Sequence, residues 1–331
     1  MRNLLFIFLL FLLGGCSSEP DLAFNEDYLI PAIFSLDNSV ETQQKSKHEQ
    51  NSMVLAKDNN SISISMEQEA WCSKKIQVQK EKTSWTNPTN KVTWITGDQV
   101  GIFMRDAAGS NSYARDNVLY SVVTGGASTA SLTPSATPLY FPNKTSNVKF
   151  YAYYPYSATS NSLLVNYTLP ANQSTTQALG NADIMYASTG SYTGAAPNIA
   201  LNFNHQMTLL TFNIKGGLLS GLFTLTQVTV NGAAITNTGT LDLSTGILTP
   251  NTSNTFTATV NTSQSVSSSA IANVDVIINP CVITGNSALL ASQLKVTLTF
   301  SGLGLVHSTN LITSGTFVKG TRYVYNLTVA L

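Results

Sequence analysis

The sequence predicts an all-β protein, two β-sandwich domains behind a signal peptide and a flexible tether. Three observations carry this reading. Charged residues make up only 10% of the 331-residue chain, against about 25% in an average soluble protein. Ser and Thr together number 77, a composition that favours short strands and polar turns over helices. Short alternating apolar runs recur between Gly, Asn, Pro and Ser clusters, and no stretch forms an amphipathic helix of three turns. At about 150 residues per domain, the length suits two domains. The 17 basic and 17 acidic residues cancel, so no nucleic acid is expected as a partner.

The first element is an address. Arg2 supplies a positive charge, and Leu4 to Leu13 is an unbroken apolar run of ten. That is half of the about 20 residues a spanning helix needs, so residues 1–15 read as a signal peptide. The run ends in Leu13-Gly14-Gly15-Cys16, which resembles the bacterial lipobox, where small residues sit beside a Cys that takes a diacylglyceryl group. Cys16 is the expected lipidation site, and its palmitate-type anchor would make the outer membrane a partner. Ser17 is not the Asp that retains some lipoproteins in the inner membrane, and Glu19 and Asp21 loosely resemble a surface-export signal.

Residues 16–59 read as a tether. Asn38 to Asn51 is polar and lacks apolar periodicity. An N-terminal sandwich domain is placed at 60–198. Its first strand is marked by Ile62, Ile64 and Met66, which alternate with serines. Lysines concentrate between Lys45 and Lys82; the pair Lys74 and Lys75 is either a solvated face or a cleavage site.

From Lys91 the pattern is β throughout. Strands are expected at Val92–Ile95, Val100–Met104, Val118–Val123, Val148–Tyr154 and Leu163–Leu169. Pro197 interrupts the pattern, and a C-terminal sandwich domain is placed at 199–331. Its strands are expected at Ile199–Lys215, Leu222–Asn231, Thr240–Leu243, Phe256–Val260, Val274–Ile278, Leu294–Phe300 and Tyr323–Val329. In the Thr-rich run Phe223–Val230, Phe223 faces opposite to Leu225 only if the strand is bulged. Ser244-Thr245-Gly246 suits a hairpin turn. Trp94, Phe103 and Phe150 are expected in the first core, and Phe203, Phe212, Phe256, Val276 and Phe300 in the second.

Chemistry-bearing clusters are scarce. The three His are scattered, and no Glu follows Glu81. No Cys-x-x-Cys, Gly-x-Ser-x-Gly or His-Glu-x-x-His occurs. No enzyme activity, cofactor or metal is expected. Cys72 and Cys281 could pair or remain free thiols. His205 falls in line with Leu201, Phe203, Met207 and Leu209, which suits a packed, hydrogen-bonded histidine better than a ligand. Tyr151 and Tyr153 should lie on one side of their strand, and Tyr154 and Tyr156 on the other. One pair would be core and the other either a capped edge or an exposed platform.

Several segments together resemble one family. They are Trp94-Ile-Thr-Gly97-Asp98-Gln-Val-Gly101-Ile-Phe103, Phe150-Tyr-Ala-Tyr-Tyr-Pro-Tyr156, Asp183-Ile-Met185-Tyr186-Ala187, Leu201-Asn-Phe203-Asn-His205 and Gly320-Thr-Arg-Tyr323-Val-Tyr325-Asn-Leu327. In this order, behind a lipobox, they resemble the Bacteroidales fimbrillin-like (Mfa-like) fimbrial subunits. The resemblance implies sandwiches of transthyretin-like topology and a fimbrial role at the cell surface. It also implies maturation: a protease removes an N-terminal strand, and the emptied groove takes a strand from another fimbrial subunit. Here the displaced strand would carry Ile62, Ile64 and Met66, and the cut would follow Lys74 or Lys75. The family's protease is specific for Arg or Lys, but no Arg lies between Cys16 and Arg105. The terminal strand suits its own sandwich and only Ala330 and Leu331 follow it, which favours a tip or accessory subunit over a stalk subunit. The alternative is a monomeric glycan-binding surface lipoprotein with a host or bacterial surface ligand, using exposed aromatics such as Trp85, Tyr154 or Tyr156.

Overall fold

The computed structural model describes residues 30–36, 51–55, 62–70, 94–108, 113–126, 129–196, 198–217, 223–253, 255–283, 294–301, 306–311 and 315–329. These residues form strands almost throughout, as the alternation predicts, and they enclose two hydrophobic clusters.

The first cluster lies within an eight-stranded sheet. Its order is Asn198–Leu201, Ile33–Leu36, Ala130–Pro134, Arg115–Val122, Gln99–Asp106, Val148–Tyr154, Met185–Ser188 and Asn204–His205. Phe34, on the second strand, meets Phe150, on the sixth, with ring centroids 5.1 Å apart. The sheet therefore curls over itself and closes around its own apolar face. Gly101 permits a close approach within it, because an added Cβ would collide with the Tyr153 ring.

The second cluster is a sandwich. A five-stranded sheet runs Ala272–Ile278, Thr208–Gly216, Thr321–Val329, Ile62–Ala70, Asn51–Leu55. Across the core lies a four-stranded sheet of Phe256–Val266, Phe223–Gly232, Lys295–Phe300 and Val306–Asn310. A bulge between Leu225 and Gln227 resolves the Phe223–Val230 pattern. It puts Leu225, Val228 and Val230 together in the core, while Phe223 stays half-buried. The hairpin Thr238–Asp242 to Ile247–Pro250 turns at Gly246, whose φ of 70° needs glycine. The only helix among the described residues is Thr176–Ala182, capped by the Thr175 side chain.

Several placements differ from the sequence reading. Leu164–Thr168, expected in the N-terminal sandwich, pairs with Thr238–Asp242, and its Val165 and Tyr167 pack in the second cluster. Trp94 and Ile95 of the expected strand Val92–Ile95 lie in no strand, and Asn51–Leu55 of the expected tether is a strand. Within the expected tether, Ile33–Leu36 is an internal strand and Phe34 is buried, because Ala32 and Phe34 alternate into the core between exposed neighbours. Ile62–Ala70 joins the C-terminal sheet rather than a sheet of the preceding segment, because the terminal strand offers it an otherwise open edge. Phe103 packs with Tyr153 on the second cluster, since Val100, Ile102 and Met104 fill the opposite face of its strand. Phe203 packs against Trp94 in the first cluster, with centroids 5.3 Å apart.

Candidate strand-acceptor site

The terminal strand Thr321–Val329 pairs on one side with Thr208–Gly216, in parallel, and on the other with Ile62–Ala70, antiparallel. The register sets Ile62, Ile64 and Met66 opposite Val329, Leu327 and Tyr325. Those three partners are completely buried. The hydrophobic alternation of the amino-terminal strand is thus in phase with the core positions of the strand it covers. Removing Ile62–Ala70 would leave the Thr321–Val329 edge unpaired.

A second amino-terminal strand is seated in the other sheet. Ile33–Leu36 runs parallel to Asn198–Leu201 and antiparallel to Ala130–Pro134. Phe34 stands edge-on to Tyr120 and Phe150, at 5.0 and 5.1 Å. Tyr120 is itself fixed, because its hydroxyl accepts from the Leu139 N–H at 2.8 Å, and burial pushes its pKa up to about 12. The chain before Lys74 therefore supplies strands to both sheets. The sequence marked one of them through Ile62, Ile64 and Met66. The other lies in the mostly apolar run Tyr28–Leu36, where Ala32, Ile33 and Phe34 show no alternation to mark a strand face.

The opposite edge of the C-terminal sheet is closed differently. The buried Gln173 side chain donates to the Ile277 carbonyl at 2.8 Å and accepts from the Ile277 N–H at 2.8 Å. It satisfies one residue of an edge strand as a neighbouring backbone would.

Four of the five sequence motifs supply two buried hydrogen-bonded pairs, Asp98 with Tyr154 and Asp183 with His205. Gly97, with φ of 85°, turns the chain so that Asp98 accepts from the Ile95 N–H at 2.6 Å. Tyr154 donates to Asp98 at 3.3 Å and lies edge-on to Trp94. Burial, then the neighbouring Asp98, pushes the Tyr154 pKa far up, so it stays a neutral donor. His205 Nδ1 meets Asp183 Oδ1 at 2.7 Å, with both side chains sealed from solvent. The motif residues are thus structural, and the packed, hydrogen-bonded role expected of His205 is the observed one. Tyr153 and Tyr154 are each buried on opposite faces of their strand, so Tyr154 is no exposed platform.

A family model described as fimbrillin-like matches residues 83–330. The chain belongs to the fimbrillin-like family. No curated protein matches it. Among solved structures, this fimbrillin-like chain is similar to a candidate cell adhesion protein from Bacteroides uniformis ATCC 8492, at 23% identity and a TM-score of 0.56. That match covers 72% of this chain and 88% of the other. A candidate cell adhesion protein from Bacteroides ovatus ATCC 8483 matches at 18% identity and a TM-score of 0.52, covering 71% and 83%. These similarities support the fold.

In this fimbrillin-like chain, Cys16, Lys74, Lys75, Cys72 and Trp85 lie outside the described residues. Cys281 is a free thiol, and burial pushes its pKa up to about 12. Among the described residues no cluster of three His, Cys, Asp or Glu could hold a metal ion. No helix among them is long and apolar enough to cross a membrane.

Proposed function

We propose that this chain is the precursor of a structural or adhesive fimbrial subunit, without enzymatic activity, anchored in the outer membrane through lipid on Cys16. A protease cut after Lys74 or Lys75 releases the preceding segment, and another fimbrial subunit then donates a strand to the vacated seat. One observation carries this reading: Ile62, Ile64 and Met66 lie in register with the buried Val329, Leu327 and Tyr325. Ile33–Leu36 precedes the same cut, so release would open seats in both sheets. An unpaired strand edge over an open apolar groove favours addition of a new strand.

The chain acts as an acceptor in a tip or accessory position. Its terminal strand is internal, held between Thr208–Gly216 and Ile62–Ala70. Donating it would empty positions filled by Tyr323, Tyr325, Leu327 and Val329, all buried.

The test is digestion of the purified protein with a Lys-cutting protease, read by mass spectrometry, amide exchange and electron microscopy. The expected cut follows Lys74 or Lys75. Exchange along Thr321–Val329 should rise when the amino-terminal segment leaves, and fall again when a partner subunit supplies a strand. Unchanged exchange after complete cutting and removal of the segment would defeat the acceptor reading. Long homopolymers would defeat the tip or accessory assignment.

A further inference from the structure

We propose that the cleft between Tyr186 and Lys319 binds an acidic saccharide residue, a hexuronate or a sialic-acid-type sugar. The cavity has a volume of about 380 Å³, within the about 300–1,000 Å³ typical of small-molecule sites. Its polar wall brings together Asn204, Gln206, Thr245 and Lys319 from distant parts of the chain.

The cation is the deciding feature. Lys319 Nζ donates to Gln206 Oε1 at 2.9 Å and to the Gly246 carbonyl at 3.1 Å. Both acceptors are neutral, so they fix the ammonium without cancelling its charge. Among the described residues no carboxylate forms an ion pair with it. A lysine ammonium has three donors, so one remains for a ligand. Gln206 is buried and held in turn, its amide donating to the Asn204 carbonyl at 3.0 Å.

The aromatic wall is fixed as well. Gly246 adopts φ of 70°, and the Tyr186 ring lies directly across it, where an added Cβ would strike the ring. The half-buried ring offers apolar surface, its hydroxyl bonding Ser188, and beside it lie the exposed Asn204 amide and the Thr245 hydroxyl, which bonds the neighbouring Asp242 and keeps lone pairs for a sugar hydroxyl. A sugar acid matches each part: ring C–H groups to the aromatic side chain, hydroxyls to the amide and hydroxyl, carboxylate to the ammonium. A simple anion would leave Tyr186, Asn204 and Thr245 unused.

The experiment is a calorimetric and ligand-observed NMR titration of the purified full-length protein with glucuronate, N-acetylneuraminate, glucose and acetate. One of the sugar acids should saturate the protein, with glucose weaker by at least about tenfold, the worth of the missing charge-assisted contact, and acetate weaker by at least about tenfold for want of the ring and hydroxyl contacts. Lys319→Gln should abolish the preference for acid over neutral sugar, and Thr245→Ala should weaken both, with melting curves checking that each variant folds. Acetate binding as tightly as the sugar acids would overturn the proposal and point to a peptide carboxylate. Absence of saturation by either sugar acid at millimolar concentration, or a preference surviving in Lys319→Gln, would also overturn it. All lining residues follow Lys75, so binding should be equal before and after the protease cut. Failure of strand exchange and failure of sugar binding are therefore separately visible.

Discussion

His205 Nδ1 lies 2.7 Å from Asp183 Oδ1, and neither side chain is accessible to solvent. Met185 pairs with His205 across neighbouring strands, which brings the imidazole to the carboxylate two residues earlier. Removing either partner leaves the other buried without its hydrogen bond. Asp183→Ala is expected to cost about 1–3 kcal/mol in denaturant unfolding, the penalty of a buried polar group left without that bond. The double variant with His205→Ala should cost much less than the sum of the two singles. Additive losses would show that the two residues act independently.

Phe34 tests the ordering of the amino-terminal segment. Its ring is buried against Tyr120 and Phe150. Phe34→Ala should destabilise the intact protein by about 3–5 kcal/mol. After the protease cut it should also speed release of the amino-terminal piece, read by size-exclusion chromatography. A loss below about 1 kcal/mol would mean that Phe34 is not in the core.

Two tyrosines of the terminal strand should respond in opposite ways. The Tyr323 hydroxyl donates to the Thr316 carbonyl at 2.8 Å and accepts from the Val318 N–H at 3.0 Å. The Tyr325 hydroxyl is buried with no partner among the described residues, and burial pushes its pKa well up. Tyr323→Phe should cost about 1 kcal/mol, whereas Tyr325→Phe should be neutral or stabilising, because it removes an unsatisfied polar atom. Thermal melts of the two variants check the contrast.

His307 should contribute to acid sensitivity. It is buried edge-on to Phe300, with centroids 6.0 Å apart, and burial lowers its pKa. The folded state therefore binds fewer protons than the unfolded state as pH falls through the ordinary value of about 6.5. Stability is lost below that value, and the loss ends once pH is below the depressed folded value. His307→Phe should flatten this part of the stability profile between about pH 7 and 5. An unchanged slope would assign the acid sensitivity to other groups.

Cys16 carries the membrane prediction. Cys16→Ala should abolish labelled fatty-acid incorporation and membrane fractionation. Incorporation persisting in the variant would place the lipid elsewhere.

The sequence by itself determined the all-β class and the hairpin at Gly246, whereas the bulge fell after Leu225 and left Phe223 against the same core as Leu225. The class and the hairpin are local matters of alternation, positive φ and turn chemistry, and neighbouring residues specify them. The sequence also determined that Ile62, Ile64 and Met66 belong to a strand. Only the tertiary structure decided which strand covers which edge. Ile62–Ala70 pairs with Thr321–Val329, and Phe34 enters a sheet beside Asn198–Leu201. Such pairings join residues far apart in the chain, and nothing local encodes the partner. Phe103 and Phe203 each pack in the other core from the one their chain positions suggest, for the same reason. A buried strand can fill both faces, and alternation alone does not say which core each face meets. The Tyr186–Lys319 cleft was also illegible, because its residues come from separate turns and strand ends that converge only when the sheets pack.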